Sequence, residues 1–311
     1  MNFKWLSSAS KEEIRWFFNH LVMCGFVKNA VGNDSQKSRT EKVKEYFLQL
    51  HQRNPIQAEQ EVNSLLSLKS HLGLDDADFN WLDEQDSFQS IYIWGAARSL
   101  SITDYAGYLV IPEAKDNFNF NVSFNPANAT EYLPFYKYIG NVYPKDERFM
   151  SEIFKDFFQR WPLHADNKRL ILRQIKDKYE ELKHYGNAMG WLSMGDQEAF
   201  RWAWLYMQDR EVPTEYLLGN EFNATLDHLV TAFDLWNAHK AEKELFYRRM
   251  KTADSQRRTR MRRKNRKPYQ VFLTKEHKEK LDELAWHYDR KIYEVVEELI
   301  SKEYRRTKEN S

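Results

Sequence analysis

The chain has a single cysteine, Cys24. That excludes an intramolecular disulfide and any metal site built from cysteines, and it fits a reducing cytoplasm. Long apolar runs are also lacking. The longest, Ile91-Tyr-Ile-Trp-Gly-Ala-Ala97, falls far short of the roughly 20 residues that a membrane span needs. The opening Met1-Asn-Phe-Lys-Trp-Leu6 lacks the apolar core of a secretory signal, so export is not expected. Catalytic signatures are scarce. The histidines (His20, His51, His71, His164, His184, His228, His239, His277 and His287) are scattered, with no His-Glu-x-x-His arrangement and no second ligand at metal spacing. There is no phosphate-cradling Gly-rich loop and no nucleophile elbow. The expectation is a protein that is not an enzyme, with no cofactor, no metal and no membrane partner.

What the chain does have is core material and a lopsided charge distribution. It is 311 residues long and 42% hydrophobic, with 10 Trp, 17 Tyr and 20 Phe, enough for a large domain and a small one. Arg248 to Lys267 holds eleven Lys or Arg and one acid, Asp254, a net of +10. The formal net charge is +1, so the remainder sums to −9. Such polarisation belongs to a localised polyanion site on a mildly acidic body.

The pattern is mainly α. Ser10-Lys-Glu-Glu13 is a capping box, followed at helical spacing by Ile14, Phe17, Phe18, Leu21 and Val22. Ser38-Arg-Thr-Glu41 reads as a second box, and Asn54-Pro55 ends its helix. Further helices are expected over 56–72, 84–100, 130–139, 145–161, 167–185, 196–208 and 223–250, the last as one long amphipathic helix running into the basic segment. Asp75-Asp-Ala-Asp78 reads as a solvated acidic loop. Trp191, Trp202 and Trp204, with Phe200 and Tyr206, read as an aromatic core rather than a ligand pocket. One region breaks the helical period: the apolar run Tyr108–Ile111, then Phe118, Phe120, Val122 and Phe124 alternating with polar residues. It predicts a small β-hairpin turning through Pro112–Asp116, inserted in the helical body.

The tail changes character. Tyr269-Gln-Val-Phe-Leu273 alternates as a strand, with Tyr269, Val271 and Leu273 on one side and Gln270, Phe272 and Thr274 on the other. Thr274 is placed to cap a helix over 275–288, whose apolar face is Leu281, Leu284, Ala285 and Tyr288. A second helix, 292–304, has Ile292, Val295, Val296, Leu299 and Ile300 on its face. A lone strand needs a partner, and the tail offers none, so the simplest partner is the same strand of a second chain.

Basic run, strand, helix, turn and helix in this length resemble the ribbon-helix-helix DNA-binding family. Leu281-Asp-Glu-Leu-Ala285, with Ile292, Glu294, Val296 and Leu299-Ile300, is similar to the helix pattern of the MatP-like chromosome-terminus organisers within it. The resemblance covers about the last sixty residues. It implies that two strands pair antiparallel across a homodimer and enter the major groove of double-stranded DNA. Gln270, Phe272 and the flanking Lys267 or Pro268 then take the groove-facing places, Gln pairing with adenine and Phe touching a thymine methyl. Arg257, Arg258, Arg260, Arg262, Arg263, Lys264, Arg266 and Lys267 supply phosphate contacts, with Thr274 beside them. Lys291 marks a helix N-terminus that would meet a phosphate. Tyr269, Val271, Leu273, Leu281, Leu284, Ile292, Val296 and Leu299 form the implied dimer core. The chain departs from the family at the turn: Asp289 stands where a Gly is usual, and Lys291 where a Ser or Thr caps.

The expected organisation is therefore a helical body over 1–245, serving effectors or oligomerisation, a basic helix or linker over 246–267, and a β-α-α ribbon-helix-helix module over 268–311. The expected function is sequence-specific DNA binding as a homodimer, as a transcription regulator or chromosome organiser of MatP-like type, cytoplasmic and nucleoid-associated. The competing reading is an enzyme or partner-binding body tethered to nucleic acid by an unspecific basic tail.

Overall fold

Several helices in this protein start where a short polar side chain can take up the free N–H groups of a first turn. The computed structural model describes residues 8–28, 35–104, 106, 108–112, 121–126, 133–144, 147–184, 189–192, 196–218, 224–263 and 271–309. It is mainly helical, with one antiparallel two-stranded sheet. Helix α1 (Lys11–Met23) opens with the expected box of Ser10 and Glu13. Helix α2 (Gln36–Arg53) is capped by Ser35, one turn before the expected Ser38, which lies inside the helix and donates its N–H to Ser35. Asn54 both ends α2 and caps α3 (Pro55–Leu72), with Pro55 in the first position, where its missing N–H costs nothing. Gly73 then stops α3, and any Cβ there would lie 2.7 Å from the Lys69 carbonyl oxygen.

The Asp75–Asp78 stretch is not a loose loop. It forms the one-turn α4 (Asp76–Phe79), and each carboxylate has a task. Asp75 pairs with Lys69 at 2.9 Å, Asp76 accepts from the Glu12 N–H at 3.0 Å, and Asp78 pairs with Arg169 at 2.9 Å.

Helix α5 (Ser87–Ser99) is buried along almost its whole length, so its apolar run 91–97 is a core helix. Strand β1 (Leu100–Thr103) follows directly and pairs with β2 (Asn121–Phe124), Leu100 opposite Phe124 and Thr103 opposite Asn121. The expected hairpin is thereby corrected: the main partner of 121–124 is 100–103. Only Leu109 of the run 108–111 bridges, and it bridges to Thr103. Phe118 and Phe120 lie outside the described residues.

Next come α6 (Pro134–Tyr138), α7 (Arg148–Arg160), α8 (Ala165–His184) and α9 (Gln197–Gln208), the last capped by Asp196. The single long helix expected over 223–250 is two helices, α10 (Leu226–Leu235) and α11 (Lys240–Arg263). Trp236 takes a non-helical ψ of 122°, and Lys243 caps the break by donating to the Asp234 carbonyl at 2.6 Å. Gly95 of α5 is where α10 comes close: a Cβ there would meet Leu235 and Thr231 at 3.0 Å. Trp204, Phe200 and Tyr206 are buried, as expected of an aromatic core, and Tyr206 packs edge-on against Phe246, whereas Trp191 and Trp202 are half-buried.

The chain divides into two compact units, Met1–Thr252 and Ala253–Ser311, and the division falls within the segment 246–267.

In the first unit, α1, α2 and α7 share a buried charge network. Arg15 sits 2.8 Å from Asp156, 2.6 Å from Glu152 and 2.9 Å from Glu12. Arg39 reaches the other Asp156 oxygen at 3.1 Å. Asn19 donates to Asp156 at 3.0 Å and accepts from Arg160 at 2.8 Å. Burial disfavours the charge on Arg15, but Asp156, Glu12 and Glu152 outweigh it and hold the guanidinium above its usual range. Burial likewise works against Glu152, yet Arg15 and Lys155 hold its carboxyl below the usual range. Arg160 is moved down, by burial first and by Arg39 besides.

Lys168 is buried too. It donates to the Leu72 carbonyl at 2.7 Å, one of the end carbonyls that α3 cannot satisfy itself. Burial pushes its amine down to about 7.

Candidate nucleic-acid interface

The second unit contains the basic end of α11, then α12 (Lys275–His287) and α13 (Ile292–Glu309). Its described residues form no strand. Val271, Phe272 and Leu273 are unpaired, so the expected tail strand is absent from the single chain; Tyr269 and Gln270 lie outside the described residues. The physical reason is that a strand has no stability without a neighbour, and one copy of the tail supplies none.

Thr274 caps α12 as expected, accepting the His277 N–H at 3.4 Å. The turn to α13 passes through Asp289 at φ 49°, a left-handed conformation that short polar residues tolerate better than branched ones. Asp289 thus takes a conformation that Gly would adopt more easily. At the start of α13 the Lys291 N–H donates to the Glu294 carboxylate at 3.3 Å. The helix N-terminus expected to meet a phosphate therefore already has an anion of its own. The exposed Lys291 side chain remains as the cation at that place.

The basic segment is more ordered than a charge count conveys. Residues 248–263 are helical, so the bases are spread around a cylinder rather than strung along a coil. Asp254, the lone acid, is 2% exposed. It binds Arg257 at 2.9 Å and Arg258 at 2.5 Å, both one turn further along the helix. Arg257 and Arg258 are accordingly half-buried, whereas Arg260 is exposed. Arg262 and Arg263 close the helix. Lys264, Arg266, Lys267 and Gln270 fall outside the described residues.

The apolar residues of this unit are the unusual part. Only Ala285 and Val295 are buried in α12 and α13. Phe272 is 91% exposed, Trp286 84%, and Tyr304 and Ile300 about two thirds. Val271, Leu273, Ile292 and Leu299 of the implied dimer core are exposed as well, while Leu281, Leu284 and Val296 are half-buried. The sequence pattern did not single out Trp286 or Tyr304. Trp286 sits one position beyond the Ala285 face, and Tyr304 lies past the matched pattern.

Comparison with family models, with curated proteins and with solved structures finds no match to this chain.

Proposed function

We propose that the protein binds double-stranded DNA as a homodimer through its C-terminal unit, as a ribbon-helix-helix module formed only when two copies meet. The observation that carries the reading is the exposed row Val271, Phe272 and Leu273 beside two helices that bury just Ala285 and Val295. Such a unit is too small and too open to hold its shape alone, and two copies can cover each other. In the dimer, 269–273 of each chain pair antiparallel. Tyr269, Val271 and Leu273 turn inward onto Leu281, Leu284, Ile292, Val296 and Leu299. Gln270 and Phe272 turn outward to base edges. The exposure of Phe272 while its strand lacks a partner fits that outward place.

The helical basic segment and the residues that follow it supply phosphate affinity. Arg260, Arg262, Arg263, Lys264, Arg266 and Lys267 are the cations assigned to that role, with Lys291 beside the second helix. Arg257 and Arg258 contribute less, since Asp254 occupies them. The body, with its buried charge network, is the platform that carries this module, and the protein acts in the cytoplasm on nucleoid DNA. It works as a regulator or as a chromosome organiser of MatP-like type.

Selection of the full-length protein against a pool of random duplexes tests this. The expected result is a short, two-fold symmetric motif, bound by two chains, with affinity falling steeply as salt rises. Enrichment of no motif, or equal binding of duplex and single strands, would leave an unspecific polyanion tail instead.

A further inference from the structure

A cleft of about 530 Å³ opens within the first unit, between β2, α8 and the break from α10 to α11. Small-molecule sites span roughly 300–1,000 Å³. The break shapes one side of the cleft. Trp236 leaves the helical path, and the Ala238 N–H then donates to the Trp236 carbonyl at 2.9 Å, making a tight turn. Phe246 braces the Trp236 indole edge-on, with ring centres 5.4 Å apart. Together with Val122 and Phe124 of β2, Trp236 gives the cleft an apolar part.

The polar part carries both signs. Helix α8 brings Asp177, Lys178 and Glu181, and the other side brings Asp234 and Lys243. Lys243 is occupied, since it donates to the Asp234 carbonyl at 2.6 Å. Burial lowers its amine, Asp234 opposes that, and the Lys178 ammonium adds to the lowering. Lys178 therefore stands close enough to repel it. Among the described residues Lys178 makes no ion pair, and its ammonium lies 4.9 Å from the centre of the Phe124 ring. On the acid side, Asp234 accepts from the Tyr92 hydroxyl at 3.4 Å. That phenol is held well above its usual range by burial first, then by Asp234, with Tyr216 and Glu181 adding. Glu181 and Asp234, from different helices, thus act on one hydroxyl.

A plain anion in this cleft would meet three carboxylates. A plain cation would leave Lys178 and Lys243 repelling each other. A molecule with one ammonium and one carboxylate on an apolar frame answers both, and charge-assisted hydrogen bonds hold each end. We infer that the cleft binds a zwitterionic amino compound, a free apolar amino acid or a dipeptide. Lys178 takes its carboxylate, Glu181 and Asp234 take its ammonium, and Trp236 packs on its apolar side chain. The site lies wholly in the first unit and stands independently of DNA binding by the second.

Isothermal titration calorimetry of the full-length protein tests it, with phenylalanine, tryptophan and the dipeptide leucylphenylalanine as probes. At least one is expected to bind, and the tightest tells a free amino acid from a dipeptide. Analogues of the bound probe that lack the carboxylate or the ammonium (phenethylamine and N-acetylphenylalanine in the case of phenylalanine) should each bind about tenfold more weakly, the worth of one hydrogen bond to a charged group. Lys178→Met should weaken the zwitterion by about as much while leaving the amine analogue unchanged. Glu181→Gln should do the same while leaving the N-acetyl analogue unchanged. Both side chains are exposed, so the fold survives the substitutions, and misfolding would not produce so selective a loss. Absence of binding by all three probes would overturn the inference, as would analogues that bind as well as the zwitterion. Binding that neither substitution alters would overturn it too, because the ligand would then sit elsewhere.

Discussion

The two units treat charge and apolar surface in opposite ways. The first hides charge: Arg15, Arg39, Asp156 and Lys168 are all buried. The second exposes apolar side chains: Phe272, Trp286, Ile300 and Tyr304 stand largely in solvent. Burying an ion pair is costly and is tolerated only when every partner is in place, which requires a core complete within one chain. Single exposed apolar residues are ordinary, but a contiguous apolar patch marks a surface that something else can cover. The contrast therefore separates a unit whose charges are satisfied within its own chain from one that leaves large apolar side chains uncovered.

The largest expected way to break the first half of that contrast is Asp156→Asn. It leaves Arg15 and Arg39 facing each other without their shared carboxylate. A loss of about 3–5 kcal/mol is expected in denaturant unfolding of the body, the usual cost of stranding a buried charge. A loss below about 1 kcal/mol would mean that water reaches the two guanidinium groups.

Lys168 sharpens the same half through pH. Its amine titrates at about 7 in the folded protein, against roughly 10.4 for an unfolded lysine. Between those values the unfolded chain carries the extra proton, so stability rises with pH across that window and is flat in this respect below it. The rise should reach at most about 4 kcal/mol over three pH units. Subtracting the profile of Lys168→Met from that of wild type isolates it. Parallel profiles would show that the amine is not held neutral.

The second half is tested through Gln270→Ala. It should cost about 1–3 kcal/mol on the selected motif and much less on random duplex, measured by fluorescence anisotropy. An equal loss on both would put Gln270 outside the groove. The smallest effect expected is that of Arg262→Ala with Arg263→Ala. The slope of log affinity against log salt should flatten by about 2, roughly 0.9 for each phosphate no longer neutralised. An unchanged slope would place the phosphate-binding cations elsewhere.

Much of the helical frame was legible because its ends are written locally. Ser10 with Glu13, Asn54 with Pro55, and Asp196 each announce a helix start within four residues. Where the signal depends on distant packing, local patterns mislead. Leu100–Thr103 follows a buried helical run without a break in hydrophobicity, so nothing near it marks a strand; its partner is more than 17 residues away. Ser38 and Ser35 are equally good caps on paper, and only the structure chooses between them. The buried network joins residues up to 141 apart in sequence. One faint local sign existed, since Asp156 interrupts the apolar group Ile153, Phe154, Phe157 and Phe158, at a register that faces the core. In the tail, the cap at Thr274 and both helices were legible, whereas the expected strand is absent among the described residues, which offer it no neighbouring strand. The left-handed Asp289 was invisible in the same way: Asp permits that conformation but does not demand it.

Asp254 has a consequence for how quickly a target could be found. A buried carboxylate that keeps Arg257 and Arg258 occupied makes any polyanion compete for two of the nearest cations. For a DNA-binding tail, that competition shortens each stay on the wrong sequence and costs a specific site little, since base contacts hold the protein there. If the tail binds DNA as proposed, Asp254 would act as a built-in brake on stickiness, trading strength of nonspecific grip for speed of search along the duplex.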